Sequence, residues 1–291
     1  MDKLDNIGEN EIRIIGTNPE AQHEPPKRKT WYWVVAVLAA LIIGIATFFT
    51  RGCKNEISDQ VQQIQVENDS IAKISGYVEI TDTIINNVSL HRYIPVNARP
   101  KLVVGLIKEI PQNYILGAMA ADFGFDKGVY SVAGAFVIHG EMLSHSKSKY
   151  GFCALLKDTV VIGNDLSTAY FERAIEENGD FFRQHALVHE GKVANKVLLQ
   201  NEALRRSLCM LNDGRLCIID TDMSVSLDTF AAALRDYGVK EAIALMGSGA
   251  AVRWAVDSAG RRYIAGADEY DFPDNVVNYI VWESTDSATT K

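Results

Sequence analysis

Residues Trp31 to Thr50 read WYWVVAVLAALIIGIATFFT, twenty consecutive positions without a charge. At a rise of about 1.5 Å per residue a helix of this length reaches roughly 30 Å, the thickness of a bilayer core. Trp31, Tyr32 and Trp33 close one end and Phe48 and Phe49 the other, where interfacial aromatic side chains belong. Lys27, Arg28 and Lys29 precede the run, and Arg51 and Lys54 follow it. These features predict an uncleaved single-pass transmembrane helix over 31–50, with a short cytoplasmic N-terminus and the bulk of the chain periplasmic or extracellular. A cleaved signal peptide fits less well, because the polar run ahead of the apolar stretch is long and no A-x-A site follows it. A lipoprotein reading would use Cys53, but Arg51 stands where a small or apolar residue is wanted.

The run divides the chain. Residues 1–30 are polar without an apolar period, which predicts a disordered cytoplasmic tail. In 51–74, Ile57, Val61, Ile64 and Ile71 keep helical spacing. This predicts a stalk, read equally as a self-associating helix or as one packed on the domain beyond it. Residues 75–291 form the expected exported domain. The chain is 47% hydrophobic and 23% charged, which excludes a disordered or collagen-like chain. Its 37 acidic against 29 basic residues leave a net charge of -8, which argues against a nucleic-acid partner. Four cysteines are too few for a disulfide framework.

Within the exported part, β-branched runs such as Tyr77 to Ile80 and Leu102 to Leu106 predict strands. Thr168 to Asn178 has helical spacing and ends at Gly179, the expected C-cap. Ser207 to Leu211 and Leu216 to Asp220 flank Asn212-Asp213-Gly214-Arg215, a hairpin signal. A two-residue turn on Asp213 and Gly214 would set Met210, not Cys209, opposite Cys217. Ser226 is placed to cap a helix that Gly238 ends, and Glu241 to Met246 is a short buried strand running into Gly247-Ser248-Gly249. Trp254 to Val256 and Tyr263 to Ala265 make a further hairpin. The expected class is α+β: a mixed, mostly antiparallel sheet with a few packed helices, preceded by one transmembrane helix.

The order of these parts resembles the phosphodiester glycosidase domain family. Its elements are an Arg before a strand, a D-G-R hairpin, a Ser-started helix ending at Gly, and a strand running into a glycine loop. Here Arg206 (or Arg205), Asp213-Gly214-Arg215, Ser226 to Gly238, and Ala244 to Gly249 stand in those places. Upstream, Val132 to Phe136 is similar to the family's N-G-G-F/Y-F element, with Gly134 matching. The resemblance spans roughly Leu102 to Trp282. It implies a hydrolase cleaving a bond between a sugar's anomeric carbon and a phosphate in a cell-envelope glycan or glycolipid. It also implies that Arg205 and Arg206 hold the phosphate while the Gly247, Ser248 and Gly249 loop approaches the sugar. Two departures cut against turnover. The family has Asn and Asp before its glycines, where this chain has Ala244 and Met246, which offer no donor, acceptor or titratable group. Where its upstream element has Asn-Gly, this chain has Ala133-Gly134. The alternative is a catalytically inactive module of the same fold that recognises an anionic glycan or a partner protein.

The residues themselves offer further candidates. His139 and Glu141, two apart on an expected strand, share a face and read as an acid–base pair or as a surface pair. Arg183, amid Phe181 and Phe182, reads as an anion-binding side chain or as a stem packed on aromatic rings. Arg205 and Arg206 read as a phosphate clamp or as ion-pair partners of Asp220 or Asp222. Gly247-Ser248-Gly249 reads as a ligand-approach loop or as a plain turn. His185 and His189 flank a strand-like Ala186-Leu187-Val188, too far apart for a shared zinc, so no metal and no cofactor are expected.

Overall fold

The computed structural model describes residues 76–126, 128–146, 148–194, 201–247, 249, 251–266 and 273–285. These residues fall in the unit Ile71–Lys291. The tail, the apolar run Trp31 to Thr50 and the stalk lie outside them, as does Ser248. No helix among the described residues is long and apolar enough to cross a membrane.

The expected α+β class does not hold, because the described residues form nineteen strands and only two helices, a mostly β fold. Strands are numbered in chain order. A seven-stranded sheet runs β1 (Tyr77–Ile85), β2 (Val88–Val96), β15 (Leu216–Thr221), β14 (Arg206–Leu211), β16 (Val239–Leu245), β12 (Ala186–His189) and β13 (Lys192–Val193). A five-stranded sheet runs β10 (Val160–Asn164), β9 (Gly151–Leu155), β11 (Asp180–Gln184), β7 (Phe136–Ile138) and β8 (Glu141–Ser144). A second five-stranded sheet runs β18 (Arg262–Ala265), β17 (Arg253–Val256), β4 (Tyr114–Met119), β19 (Asn278–Ser284) and β3 (Ala98–Val104). A hairpin of β5 (Phe123–Asp126) and β6 (Val129–Val132) makes a separate two-stranded sheet.

The three large sheets share one core. Val78, Tyr93, Leu208, Ile218 and Ile243 of the first meet Phe136, Cys153 and Phe182 of the second and Ile115, Leu116, Ile280 and Trp282 of the third. The back of the seven-stranded sheet is covered in turn by α2 (Leu227–Tyr237), where Phe230, Ala233 and Leu234 meet Cys209, Cys217 and Ile219. Both faces of β14 and β15 are therefore buried, which explains why they read as near-continuous apolar runs rather than alternating ones. The helix α1 (Ala169–Glu176) does the same for the second sheet, with Phe171 and Ala174 on Phe152 and Phe181.

Local chemistry sets the ends of these elements. Ser226 Oγ accepts the Thr229 N–H at 3.1 Å, and Gly238 closes α2 at φ 92°. Ser226→Ala should lower stability by about 1 kcal/mol, read from the urea midpoint, because it strands that donor. At the end of α1 the left-handed residue is Asn178 (φ 54°), not the expected Gly179. Gly179 is needed for space instead, since a Cβ there would lie 2.6 Å from the Leu155 carbonyl oxygen. The β14–β15 loop is longer than the expected two-residue turn: Leu211 N–H donates to Arg215 O at 2.9 Å and Gly214 takes φ 84°. The longer loop shifts the register, so Cys209, not Met210, stands opposite Cys217. Both thiols are free and fully buried, and burial pushes the Cys209 thiol well up.

Candidate functional site

Strand β16 carries the chain through the middle of the seven-stranded sheet to the glycine loop. Ala244 at its end is buried opposite Ser207, and Met246 packs half-buried against the apolar cluster of Trp254 and Tyr279. Gly247 is required sterically, because a Cβ there would sit 2.8 Å from the Arg206 nitrogen and 2.9 Å from the Leu204 carbonyl oxygen. Gly249 is exposed with open space around it.

Arg206 fastens this loop from inside. Its Nη1 donates to Met246 O at 3.2 Å, Ala251 O at 3.0 Å and Val252 O at 3.4 Å, carbonyls on both sides of the glycines. Its Nε faces Asp220 Oδ2 at 3.5 Å. The expected phosphate clamp is thus occupied with holding the loop. Burial pulls its guanidinium below the ordinary value, and Asp220 opposes that pull. Arg205 is likewise engaged: Nε donates to Val225 O at 2.8 Å and Nη2 to Asn201 O.

Asp220 has a second cation. Arg253 Nε donates to the same Oδ2 at 2.9 Å, and its guanidinium lies over the Tyr93 ring, 4.1 Å from the centroid. Arg206, Asp220 and Arg253 are exposed by only 6%, 5% and 7%. Two guanidinium ions therefore surround one carboxylate in the interior, a net positive charge in a region of low polarity. Arg253 Nη1 is buried without a hydrogen-bond partner. Tyr93 beside it has its phenol pushed up, by burial first and by Asp220 second.

The other expected site residues lie elsewhere. Arg183, 2% exposed on β11 of the second sheet, donates to Lys149 O (3.2 Å), Tyr150 O (3.3 Å), Asp165 O (2.6 Å) and Ser167 O (2.8 Å). Its guanidinium lies near Phe152 and Phe181, at 5.8 and 5.4 Å from the ring centroids. Gly134 packs against it at φ 103°, where a Cβ would lie 3.2 Å from the Arg183 Cβ. His139 and Glu141 do not share a strand face. Ile138 pairs with Glu141, so His139 (φ 49°) and Gly140 (φ 78°) form the β7–β8 turn. The His139 N–H donates to Asp180 Oδ1 at 2.8 Å while its ring is 69% exposed. The structure brings Arg206 to the glycine loop, but it leaves Arg183, His139 and Glu141 on a different sheet. His189 Nδ1 lies 2.8 Å from Glu241 Oε2, and among the described residues no group of three or more His, Cys, Asp or Glu gathers to hold a metal.

Arg253 escaped the sequence reading. Its signal was present as the one cation in the apolar run Val252 to Val256, a position a core strand seldom gives to Arg.

No family model and no curated protein matches this chain. Among solved structures it is similar to the catalytic domain of zebrafish N-acetylglucosamine-1-phosphodiester alpha-N-acetylglucosaminidase, auto-inhibited by its pro-peptide. The TM-score is 0.50 and the identity 14%, over 72% of this chain and 82% of that one. A hypothetical protein from Synechocystis follows at TM-score 0.46 and 9% identity, over 72% of this chain and 62% of that one. A protein of Burkholderia pseudomallei K96243 described as exported follows at 0.45 and 10%, over 67% and 73%. The first of these defines the class: the described residues have a phosphodiester glycosidase-like fold. The likeness is one of fold.

Proposed function

We propose that this domain is a binding module on a phosphodiester glycosidase-like fold, holding an anionic glycan without hydrolysing it. The observation that carries the reading is the Arg206–Asp220–Arg253 group. It supplies fixed positive charge, but arginine stays protonated and so takes no part in proton transfer. Its single carboxylate is committed to both cations. The end of β16, where the family's pattern has Asn and Asp, offers only Ala244 and Met246. The reading keeps the exported setting expected from the sequence, so the ligand is an envelope glycan.

A panel of sugar-1-phosphodiesters incubated with the full chain tests it, with hydrolysis read by chromatography and binding by calorimetry. Binding of acidic glycans with no release of product is the expected result. Product formation above the rate without protein would replace this reading with that of an active hydrolase.

A further inference from the structure

One sheet ends on a strand with an open side. β18 pairs with β17, and among the described residues no strand pairs with its other edge. We propose that this edge takes an extended peptide segment of a partner protein. The segment adds to β18 as an antiparallel strand, like every pair in that sheet, and carries one large apolar side chain between two basic ones. The proposal goes beyond the glycan reading and does not rest on it.

The backbone fixes which groups face outward. The Asp257 N–H donates to Arg261 O at 2.9 Å at the hairpin end, and bonded positions alternate from there along an antiparallel pair. Tyr263 and Ala265 therefore turn their N–H and C=O groups to β17, and Arg262 and Ile264 turn theirs to the open side. The far side of β17 agrees. The Met119 N–H donates to Val252 O at 3.1 Å, which commits Trp254 to β4 and leaves Arg253 and Ala255 for β18. The edge is also held ready. Asp257 Oδ1 accepts the Ala259 and Arg261 N–H groups, both at 2.9 Å, and Arg262 Nη1 donates to Ile110 O at 3.2 Å. An edge already fixed loses little entropy when a strand joins it.

Each face of β18 offers a space for side chains. On one, Arg262 and Ile264 border a pocket of about 200 Å³ walled by Ile107, Ile110, Val252 and Trp254. It is smaller than the roughly 300–1,000 Å³ of small-molecule sites and suits a single apolar side chain. On the other, Arg261 and Tyr263 border a cleft of about 740 Å³ that reaches β1. Ile264, 60% exposed, stands at the rim of both. Successive side chains of an added strand point to opposite faces, so one enters the pocket and its two neighbours enter the cleft.

Charge decides the order. Lys108 and Arg262 stand at the pocket, and no carboxylate is among the described residues that line it, so a basic side chain is repelled there. In the cleft, Arg261 is held by Asp257 at 2.8 Å and Arg253 by Asp220 at 2.9 Å. That leaves Glu79 and Asp82 of β1. Glu79 meets Arg215 Nη1 at 3.9 Å, and Asp82 gives one oxygen to His91 Nδ1 at 2.7 Å. Two acidic side chains on this wall favour lysine or arginine on the cleft side of the peptide.

Fluorescence anisotropy of a labelled, capped Thr-Lys-Leu-Lys-Thr peptide with the full chain tests the proposal. Companion peptides carry aspartate for both lysines, serine for leucine, or a methyl group on the leucine nitrogen. Opposite Ile264 or Arg262, that leucine shares the pocket face and donates its N–H to β18, so the methyl group removes a ladder bond. Ile264→Pro removes an outward N–H that β17 does not use, which an edge strand tolerates. Glu79→Lys reverses one charge at a half-exposed position on β1 and leaves β18 intact. The parent peptide should bind, and each altered peptide and each variant should lose affinity by about tenfold or more. Equal binding of the methylated peptide would overturn the added strand. Equal binding of the aspartate peptide, or an unchanged Glu79→Lys variant, would overturn the charge pattern. No binding of the parent peptide to the native chain would overturn the whole proposal. Self-association of the native chain that Ile264→Pro abolishes would overturn the partner peptide in favour of a second copy.

Discussion

Asp220→Asn should cost about 3–5 kcal/mol of stability, read as a lowered urea midpoint with an unchanged slope. Asparagine keeps the shape and a carbonyl acceptor but removes the carboxylate that β14, β15 and β17 bring between Arg206 and Arg253. Two buried guanidinium ions then face each other with no counter-charge, and each has already given up its water. The pairing makes a second result follow. Adding Arg253→Gln to Asp220→Asn removes one of the two stranded charges, so the double variant should be more stable than the sum of the singles by about 0.5–3 kcal/mol. A cost below about 1 kcal/mol for Asp220→Asn would mean that solvent already screens the group, and the interior charge would no longer support a ligand.

Much of the fold was legible where local chemistry decides. Ser226 and Gly238 bracket α2 because a hydroxyl that accepts the Thr229 N–H and a glycine at positive φ are local helix-end signals. The strands of the 206–221 hairpin were equally plain. What failed was the step from segments to class. Strands were expected to outnumber helices, but the helices were given the weight of a layer, whereas α1 and α2 only cover the backs of two sheets. A strand as short as β13 carries too few residues for a period, so the weight of sheet in the chain was understated. The β14–β15 register failed for a narrower reason. Asp213-Gly214 suits a two-residue turn, but Asp213 Oδ1 accepts the Arg215 N–H at 3.0 Å and favours the longer loop, which turns Cys209 toward Cys217.

The site was less legible than the fold. Arg206 was singled out, and its place beside the glycine loop follows from β14 and β16 being neighbours. Its use could not be read, because the carbonyls it binds, Met246, Ala251 and Val252, are distant in the chain and are set by tertiary packing. His139 was placed on a strand face by alternation, which breaks where a positive φ turns the chain. Arg253 was missed altogether: its meaning comes from sharing Asp220 with Arg206, a relation across two sheets.

The other large effect is expected at Arg183. Arg183→Met keeps the length of the stem and its contact with Phe152 and Phe181, yet it should lower stability by about 3–5 kcal/mol. The loss comes from the acceptors rather than the charge. One guanidinium closes four carbonyls from two loops, at Lys149 and Tyr150 and at Asp165 and Ser167, and methionine returns nothing to them. Because these loops flank β9 and β10, the damage should be local first. Amide hydrogen exchange should rise around 149–153 and 164–168 in conditions where β14 to β16 stay protected. An anion-binding Arg183 would show the reverse pattern, with stability and exchange near the native values and a loss confined to ligand affinity. That pattern would return Arg183 to the ligand site and remove its role as the pin between these loops. Glycan affinity measured on the same variant under conditions where it remains folded separates the two.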